Sequence, residues 1–233
     1  MEKICDLQTN GLKFIQSDEF FPFGTDGVEL ANFVKGGAKN RAIDFGCGSG
    51  IVPILLAGKK KIPTVGIELQ ERVARLAERN AELNGLPIKI YNMRVQDTPA
   101  LFGKGAFDIV TCNPPYRKAG SGEASASEYV RIARHEVELT AADVMRAAAG
   151  LLSDGGRLYI VHIPERLDEI MRLAAERSLM PKVLQILRPS DGKKPHLFLL
   201  KCVMGGKSGL EVLPERNVLG STADDYPDGR GGY

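Results

Sequence analysis

A short apolar run, Arg41-Ala42-Ile43-Asp44-Phe45, passes through Gly46-Cys47-Gly48-Ser49-Gly50 straight into a second apolar segment over 51–57. A buried strand that turns tightly and feeds a helix accommodates that order, and the unit belongs to a sheet flanked by helices. The alternation then repeats. Strands are expected over 64–68, 88–92, 107–112, 157–163, 183–187 and 197–203, and helices over 70–84, 141–152 and 165–179. The pattern predicts an α/β fold with a seven-stranded, mainly parallel sheet. Only the eight residues from Arg188 to Pro195 join the last two strands. A parallel return needs a dozen residues or more, so strand seven is expected to be antiparallel.

The segment before residue 41 reads differently. Asn10-Gly11, set between strand-like runs within 7–16, is a strong short hairpin signal. Phe20, Phe21 and Phe23 suit either core filling or a lid over a ligand. Thr25 and Asp26 suit either a helix cap or a ligand contact ahead of a helix over 27–34, which Gly36-Gly37 would close. In the helix over 70–84, Val73, Leu76, Ala77, Asn80 and Leu83 share one face and Glu71, Arg72, Arg75, Glu78, Arg79 and Glu82 the other. Another helix is expected through Arg131, Arg134, His135 and Glu136. The organisation is therefore a hairpin and helix over 1–40, a central domain over 41–205, and a Gly-, Pro- and Asp-rich tail over 206–233, expected to be extended or poorly packed.

The chain has 233 residues and a net charge of +2, so attraction to a polyanion has to come from local patches. Cys5, Cys47, Cys112 and Cys202 form no C-x-x-C pair and read as reduced, buried thiols of a cytoplasmic protein, with no metal site implied. The beginning of the chain has no signal-like apolar core, and no apolar run approaches the ~20 residues of a membrane span.

Chemistry gathers at the expected strand ends. The loop from Asp44 to Gly50 is D-x-G-x-G-x-G rather than the dinucleotide G-x-G-x-x-G, because Ile51 stands three residues after Gly48. Asp44 repels phosphate and attracts a cation or an ammonium group. Glu68 ends the second strand, where a carboxylate can take both hydroxyls of a ribose. Asp97, in Val95-Gln96-Asp97 after the third strand, can accept from an adenine amino group. Any one of these acids alone reads as a surface residue or cap; three at successive strand ends fit a nucleoside bearing an amino acid and a sulfonium, S-adenosylmethionine. The fourth strand exits into Asn113-Pro114-Pro115-Tyr116. Its prolines stiffen the loop and present carbonyl acceptors. An amide, bare acceptors and a flat ring at one spot suit a planar group carrying an NH₂; a rigid proline turn is the plainer reading.

With both motifs in place, the chain resembles the class I S-adenosylmethionine-dependent methyltransferases over roughly residues 7–205, and Asn113 to Tyr116 matches the N-P-P-Y motif of those that methylate planar nitrogens. Phe23-Gly24-Thr25-Asp26, Ala133-Arg134-His135-Glu136 and the closing Lys201-Cys202-Val203-Met204-Gly205-Gly206 are similar to the bacterial adenine-N6 methyltransferases of valine tRNA. The resemblance implies a Rossmann-like methyltransferase fold with Asn113, Pro114, Pro115 and Tyr116 as catalytic residues. Asp44, Gly46, Gly48, Gly50, Glu68, Gln96, Asp97, Asn113, Thr25 and Asp26 would bind the cofactor. It also implies RNA, most often tRNA, as partner. Arg117 and Lys118 in a small, polar loop, with Arg188, Lys193 and Lys194 in another, are candidate phosphate contacts or simply solubilising charges. His162 and His196 read as structural, His135 suits either a packed or capping role or a contact to substrate, and Lys59-Lys60-Lys61 reads as a charge complement at a helix end.

Other substrates share this chemistry. An N-P-P-Y pocket also takes a protein glutamine amide in release-factor methyltransferases, but only some 40 residues precede the glycine loop here, too few for their helical substrate domain. Adenine in rRNA or DNA is a further substrate reading, and a nucleoside- or RNA-binding module without turnover is the non-enzymatic one.

Overall fold

An antiparallel hairpin opens the computed structural model, which describes residues 1–20, 24–114, 117–118, 135–136, 139–190 and 193–218. Strands β1 (Glu2–Asp6) and β2 (Lys13–Ser17) pair with Asp6 opposite Lys13. The Leu12 N–H donates to the Thr9 carbonyl at 2.9 Å across Asn10 and Gly11, whose φ values of 52° and 70° are the left-handed pair an Asn-Gly hairpin turn uses. The turn is where the sequence puts it; the first strand lies upstream of Leu7. Helix α1 (Thr25–Phe33) follows, with Gly24 at the N-cap. Thr25 and Asp26 thus occupy the first helical turn instead of capping it, and Asp26 Oδ1 accepts from the Gly27 N–H at 2.8 Å.

The sheet uses β3 (Ala42–Phe45), β4 (Thr64–Glu68), β5 (Lys89–Asn92), β6 (Phe107–Cys112), β9 (Leu152–His162), β10 (Leu179–Arg188) and β11 (Leu197–Met204). A two-residue bridge, β7 (Arg117–Lys118) with β8 (His135–Glu136), lies outside it. Strand conformation at His135 and Glu136 replaces the helix expected there, while Arg131 and Arg134 fall outside the described residues. Across the sheet the order is β10-β11-β9-β6-β3-β4-β5, and β11 is antiparallel to both of its neighbours. Helix α2 (Ile51–Ile54) widens into a π turn over Leu55–Lys59; α3 (Glu71–Leu83), α4 (Thr98–Phe102), α5 (Ala141–Leu151) and α6 (Leu167–Ala175) complete the layers.

Two cores follow from the period of two along buried strands. Val110, Cys112, Leu158 and Ile160 pack with Val144, Met145, Ala148 and Ile170 on one face. Ile109, Tyr159 and Val161 point the other way, onto Leu30, Val34 and Leu56. Each fully buried aliphatic or aromatic side chain contributes about 1.5–3 kcal/mol. All four cysteines are buried and none forms a disulfide. No helix of the described residues is long and apolar enough to cross a membrane.

The structure departs from the sequence reading in several places. Strand β9 begins at Leu152 rather than 157, because Leu152 still pairs with Phe107 and the next residues bulge before Arg157 meets Ile109. Helix α6 ends at Ala175, and Leu179 already opens β10. Leu83 is 38% exposed at the C-terminal end of α3 instead of buried. Lys60 serves a helix other than its own: its Nζ donates to the Asn32 carbonyl at 2.8 Å and to that of Val34, the free carbonyls at the end of α1. The tail is extended as expected but packed up to residue 218. Two short strands, β12 (Glu211–Val212) and β13 (Arg216–Asn217), pair in parallel with β10, and Val218 is buried. Arg216 reaches Glu29 of α1 at 3.1 Å, a buried carboxylate with no sequence signal beyond its place in a helical pattern.

Candidate active site

Strand register assembles the site. Asp44 on β3 lies opposite Thr111 on β6 and Gly66 on β4, and the glycine loop and Asn113 leave β3 and β6 at the same level. This is the switch point of the strand order, where open α/β sheets bind ligands at the carboxyl edge. Thr111 Oγ1 donates to Asp44 Oδ1 at 2.6 Å, and Asp44 is 2% exposed. Burial pushes its carboxyl up to about 7, the Thr111 hydroxyl pulls it back, and the neighbouring charge of Glu68 adds to the rise.

Glu68 sits at the end of β4 with both oxygens held by backbone. Its Oε2 accepts from the Gly48 N–H at 3.0 Å and its Oε1 from the Gln70 N–H at 2.9 Å. Burial raises its pKa while those amides oppose the rise. Each carboxylate oxygen keeps a second lone pair, so hydroxyl donors of a ribose can still be received. Asn92 Nδ2 donates to the Glu68 and Leu69 carbonyls at 2.9 and 2.7 Å, fixing the strand end from β5.

The loop between these acids is shaped by its glycines. Gly46, Gly48 and Gly50 have φ of 64°, 55° and 96°. At Gly46 and Gly48 a Cβ would meet nothing within 4 Å, so backbone conformation rather than packing demands glycine, and the loop faces open space. At Gly50 a Cβ would lie 3.2 Å from Ala77 Cβ of α3. The loop therefore rests on α3 and offers its other side to a ligand.

The remaining candidates divide. Thr25 is buried and Asp26 half-buried in the first turn of α1, whose Gly27 lies 3.0 Å, at its would-be Cβ, from Ile51 Cγ2 at the start of α2. They therefore belong to the same edge. Asn113 is half-buried and Pro114 buried; Pro115, Tyr116 and residues 21–23 lie outside the described residues. Gln96 engages Asp143 of α5, and Asp97 is exposed on a 3₁₀ turn after β5. Arg188 is at the same carboxyl edge but three strands from β6, paired bidentately with Glu215 and donating to the Lys193 carbonyl at 2.6 Å. Lys193 and Lys194 are exposed beside it; Arg117 and Lys118 are described by backbone only. His162 ends β9 fully buried, its Nδ1 accepting from the Ile163 N–H at 2.8 Å, and burial lowers its pKa to about 4, as suits a structural imidazole.

The sequence reading missed two residues. Thr111 carried a signal, since it alternates onto the face of β6 that meets Asp44. Asn80 carried another, a polar residue on the apolar face of α3.

Comparison with known proteins gives the family and the fold. The model of the family "Methyltransferase small domain" matches residues 27–172. A tRNA1(Val) (adenine(37)-N6)-methyltransferase of Yersinia pseudotuberculosis serotype O:3 (strain YPIII) is 30% identical over 183 residues, 76% of this chain and 71% of that one. Among solved structures, a predicted O-methyltransferase from Agrobacterium tumefaciens superposes with a TM-score of 0.63 at 19% identity, over 83% of this chain and 86% of that one. A geranyl diphosphate C-methyltransferase from Streptomyces coelicolor A3(2) gives 0.58 at 15% identity, over 77% and 80%. Fold and site together define a class I methyltransferase. The chain belongs to the methyltransferase small-domain family and is an S-adenosylmethionine-dependent N-methyltransferase.

Proposed function

We propose that this enzyme methylates the exocyclic N6 of an adenine in tRNA. The observation that carries the reading is the placement of Asn113 and Pro114 beside the Asp44–Thr111 pair, at the level where the glycine loop leaves β3. The 30% identity to a tRNA1(Val) adenine-N6 enzyme over 183 residues supports tRNA as the substrate class. Glu68 takes the ribose hydroxyls of S-adenosylmethionine, Asp44 its ammonium group, and the glycine loop allows its close approach; Thr25, Asp26, Gln96 and Asp97 line the margins of that pocket. Bound there, the sulfonium supplies an electrophilic methyl group.

The lone pair of an adenine amino nitrogen is delocalised into the ring, so the nitrogen is a poor nucleophile. The Asn113 side-chain oxygen and the Pro114 carbonyl accept hydrogen bonds from its N–H groups, which favours a pyramidal nitrogen with an available lone pair. Positioning supplies most of the remaining catalysis, and no strong base is needed. Tyr116 stacks on the extruded base, an interaction worth ~1–3 kcal/mol. Arg117, Lys118, Lys193 and Lys194 meet RNA phosphates, with Arg188 joining them on release from Glu215. Incubation with radiolabelled S-adenosylmethionine and, separately, total tRNA, rRNA, DNA and release factor tests this. N6-methyladenosine in digested tRNA is the expected product. Label confined to protein, rRNA or DNA refutes the tRNA assignment, and binding without transfer refutes the enzymatic one.

A further inference from the structure

Asn80 is fully buried near the C-terminal end of α3 and bonds two distant backbone segments through both its amide nitrogen and its amide oxygen. Its Oδ1 accepts from the Ile15 N–H at 2.6 Å, and its Nδ2 donates to the Ile15 carbonyl at 3.2 Å and to the Ser49 carbonyl at 3.0 Å. Ile15 is on β2 of the hairpin; Ser49 is in the glycine loop. One turn further along, Asn84 repeats half of the arrangement. Its Oδ1 accepts from the Lys13 N–H and its Nδ2 donates to the Lys13 carbonyl, both at 2.8 Å, but it does not reach the loop.

The geometry has a simple cause. Side chains at i and i+4 of a helix are about 6 Å apart along its axis. Alternate residues of a strand repeat at about 6.7 Å, so two asparagines one turn apart present donor–acceptor pairs in near register with the outward N–H and C=O groups of β2. Helix α3 thus stands in for a third strand along the hairpin. Only Asn80 carries the connection on to the ligand-facing loop, whose Gly50 rests on Ala77 of the same helix.

We propose that Asn80 is a positioning residue for cofactor binding, which locks the hairpin and the glycine loop into one unit. The inference rests on the reading of that loop as the cofactor loop. A partly buried carbonyl deprived of its donor favours another backbone conformation, so Ser49 and its neighbours lose the arrangement the ligand needs. Coupling is reciprocal: if hairpin docking holds the loop, ligand in the loop holds the hairpin.

Asn84 provides the internal control. Asn80→Ala and Asn84→Ala each remove an anchor of the hairpin, and both lower the melting temperature. Asn80→Ala raises the KM for S-adenosylmethionine and its calorimetric Kd about tenfold, with kcat at saturation within about twofold. Asn84→Ala leaves KM within about twofold. Equal losses in both variants, or an unchanged KM in a folded Asn80→Ala protein, overturn the proposal. Amide exchange on the wild-type enzyme decides the matter if a variant does not fold. Saturating S-adenosylmethionine slows exchange at Cys47 and Gly50, and at Ile15 as well. Ligand that leaves Cys47 and Gly50 untouched refutes the cofactor-loop reading; ligand that protects them and leaves Ile15 unchanged refutes the coupling alone.

Discussion

Two carboxylates, Asp44 and Glu29, are buried to nearly the same extent, and burial pushes both up to about 7. Their surroundings have little else in common. Asp44 stands at a strand end with a hydroxyl donor at 2.6 Å and the glycine loop beside it. Glu29 lies mid-helix in the packing layer; it is 3.1 Å from Arg216 of the tail, yet among the described residues neither oxygen has a hydrogen bond in good geometry. The positive charges of Arg216 and Lys59 pull its pKa down, and burial still wins. A perturbed acid therefore marks function only when register also delivers oriented donors and an open face; otherwise it records a structural tether, here one that holds the chain's tail to α1.

The sharpest separation of the two regions comes from the catalytic edge. Asn113→Ala is expected to lower turnover on RNA by about 10²–10³, the loss typical when one preorganised polar group is removed from a reacting centre. Binding of S-adenosylmethionine, followed by calorimetry, stays nearly unchanged. Normal turnover in this variant removes Asn113 from its role.

On the structural side, Glu29 gives a stability effect without a functional one. An acid whose folded pKa is raised binds more protons folded than unfolded. Its contribution to stability is therefore fully present below the ordinary value of 4.5 and is lost as pH rises to about 7. The difference amounts to roughly 3 kcal/mol, from about 1.36 kcal/mol per pH unit. Urea denaturation of wild type and Glu29→Gln across that window should show the slope in the wild type and its loss in the variant, with the Kd for S-adenosylmethionine unchanged within about twofold. A parallel pair of stability curves would mean that Glu29 is not the titrating group.

Asp44→Asn reverses this pattern. If ionised Asp44 meets the ammonium group of the cofactor, wild-type affinity rises with pH through about 7 and then levels. The amide should flatten that profile and weaken binding about tenfold above pH 8, the effect of one lost charge-assisted hydrogen bond. An unchanged profile would reduce Asp44 to the same structural role as Glu29.

The contrast also explains what the sequence could and could not disclose. Asp44, Glu68 and Asn113 were legible because short apolar runs locate strand ends, and strand ends converge wherever a parallel sheet reverses its order. Asn10-Gly11 was legible because its turn is local. What escaped depended on pairing across long distances. Nothing local in Glu211–Val212 or Arg216–Asn217 states that a Gly- and Pro-rich tail adds to β10. Arg188 looked like a free cation because Glu215 stands 27 residues away. Lys60 was assigned to its own helix because its true acceptors lie on α1, 26 and 28 residues back.

The smallest change that distinguishes the two acids is Thr111→Val, which keeps the shape of the side chain and removes a single hydroxyl. Thr111 lies at 0% exposure and donates to Asp44 alone among the described hydrogen bonds. Its bond favours the ionised carboxylate, so without it the carboxyl holds its proton to a higher pH. At pH 7 the affinity for S-adenosylmethionine should fall about threefold, and the midpoint of its pH dependence should move upward. As the pH is raised further and Asp44 ionises without the hydroxyl's help, much of the loss should be recovered, and Thr111→Ser should behave as the wild type throughout. A loss equal at all pH values would point to disturbed strand packing between β3 and β6 instead. Recovery with pH would show that one buried hydroxyl opposes the effect of burial at Asp44, the part that the charges of Arg216 and Lys59 play at Glu29.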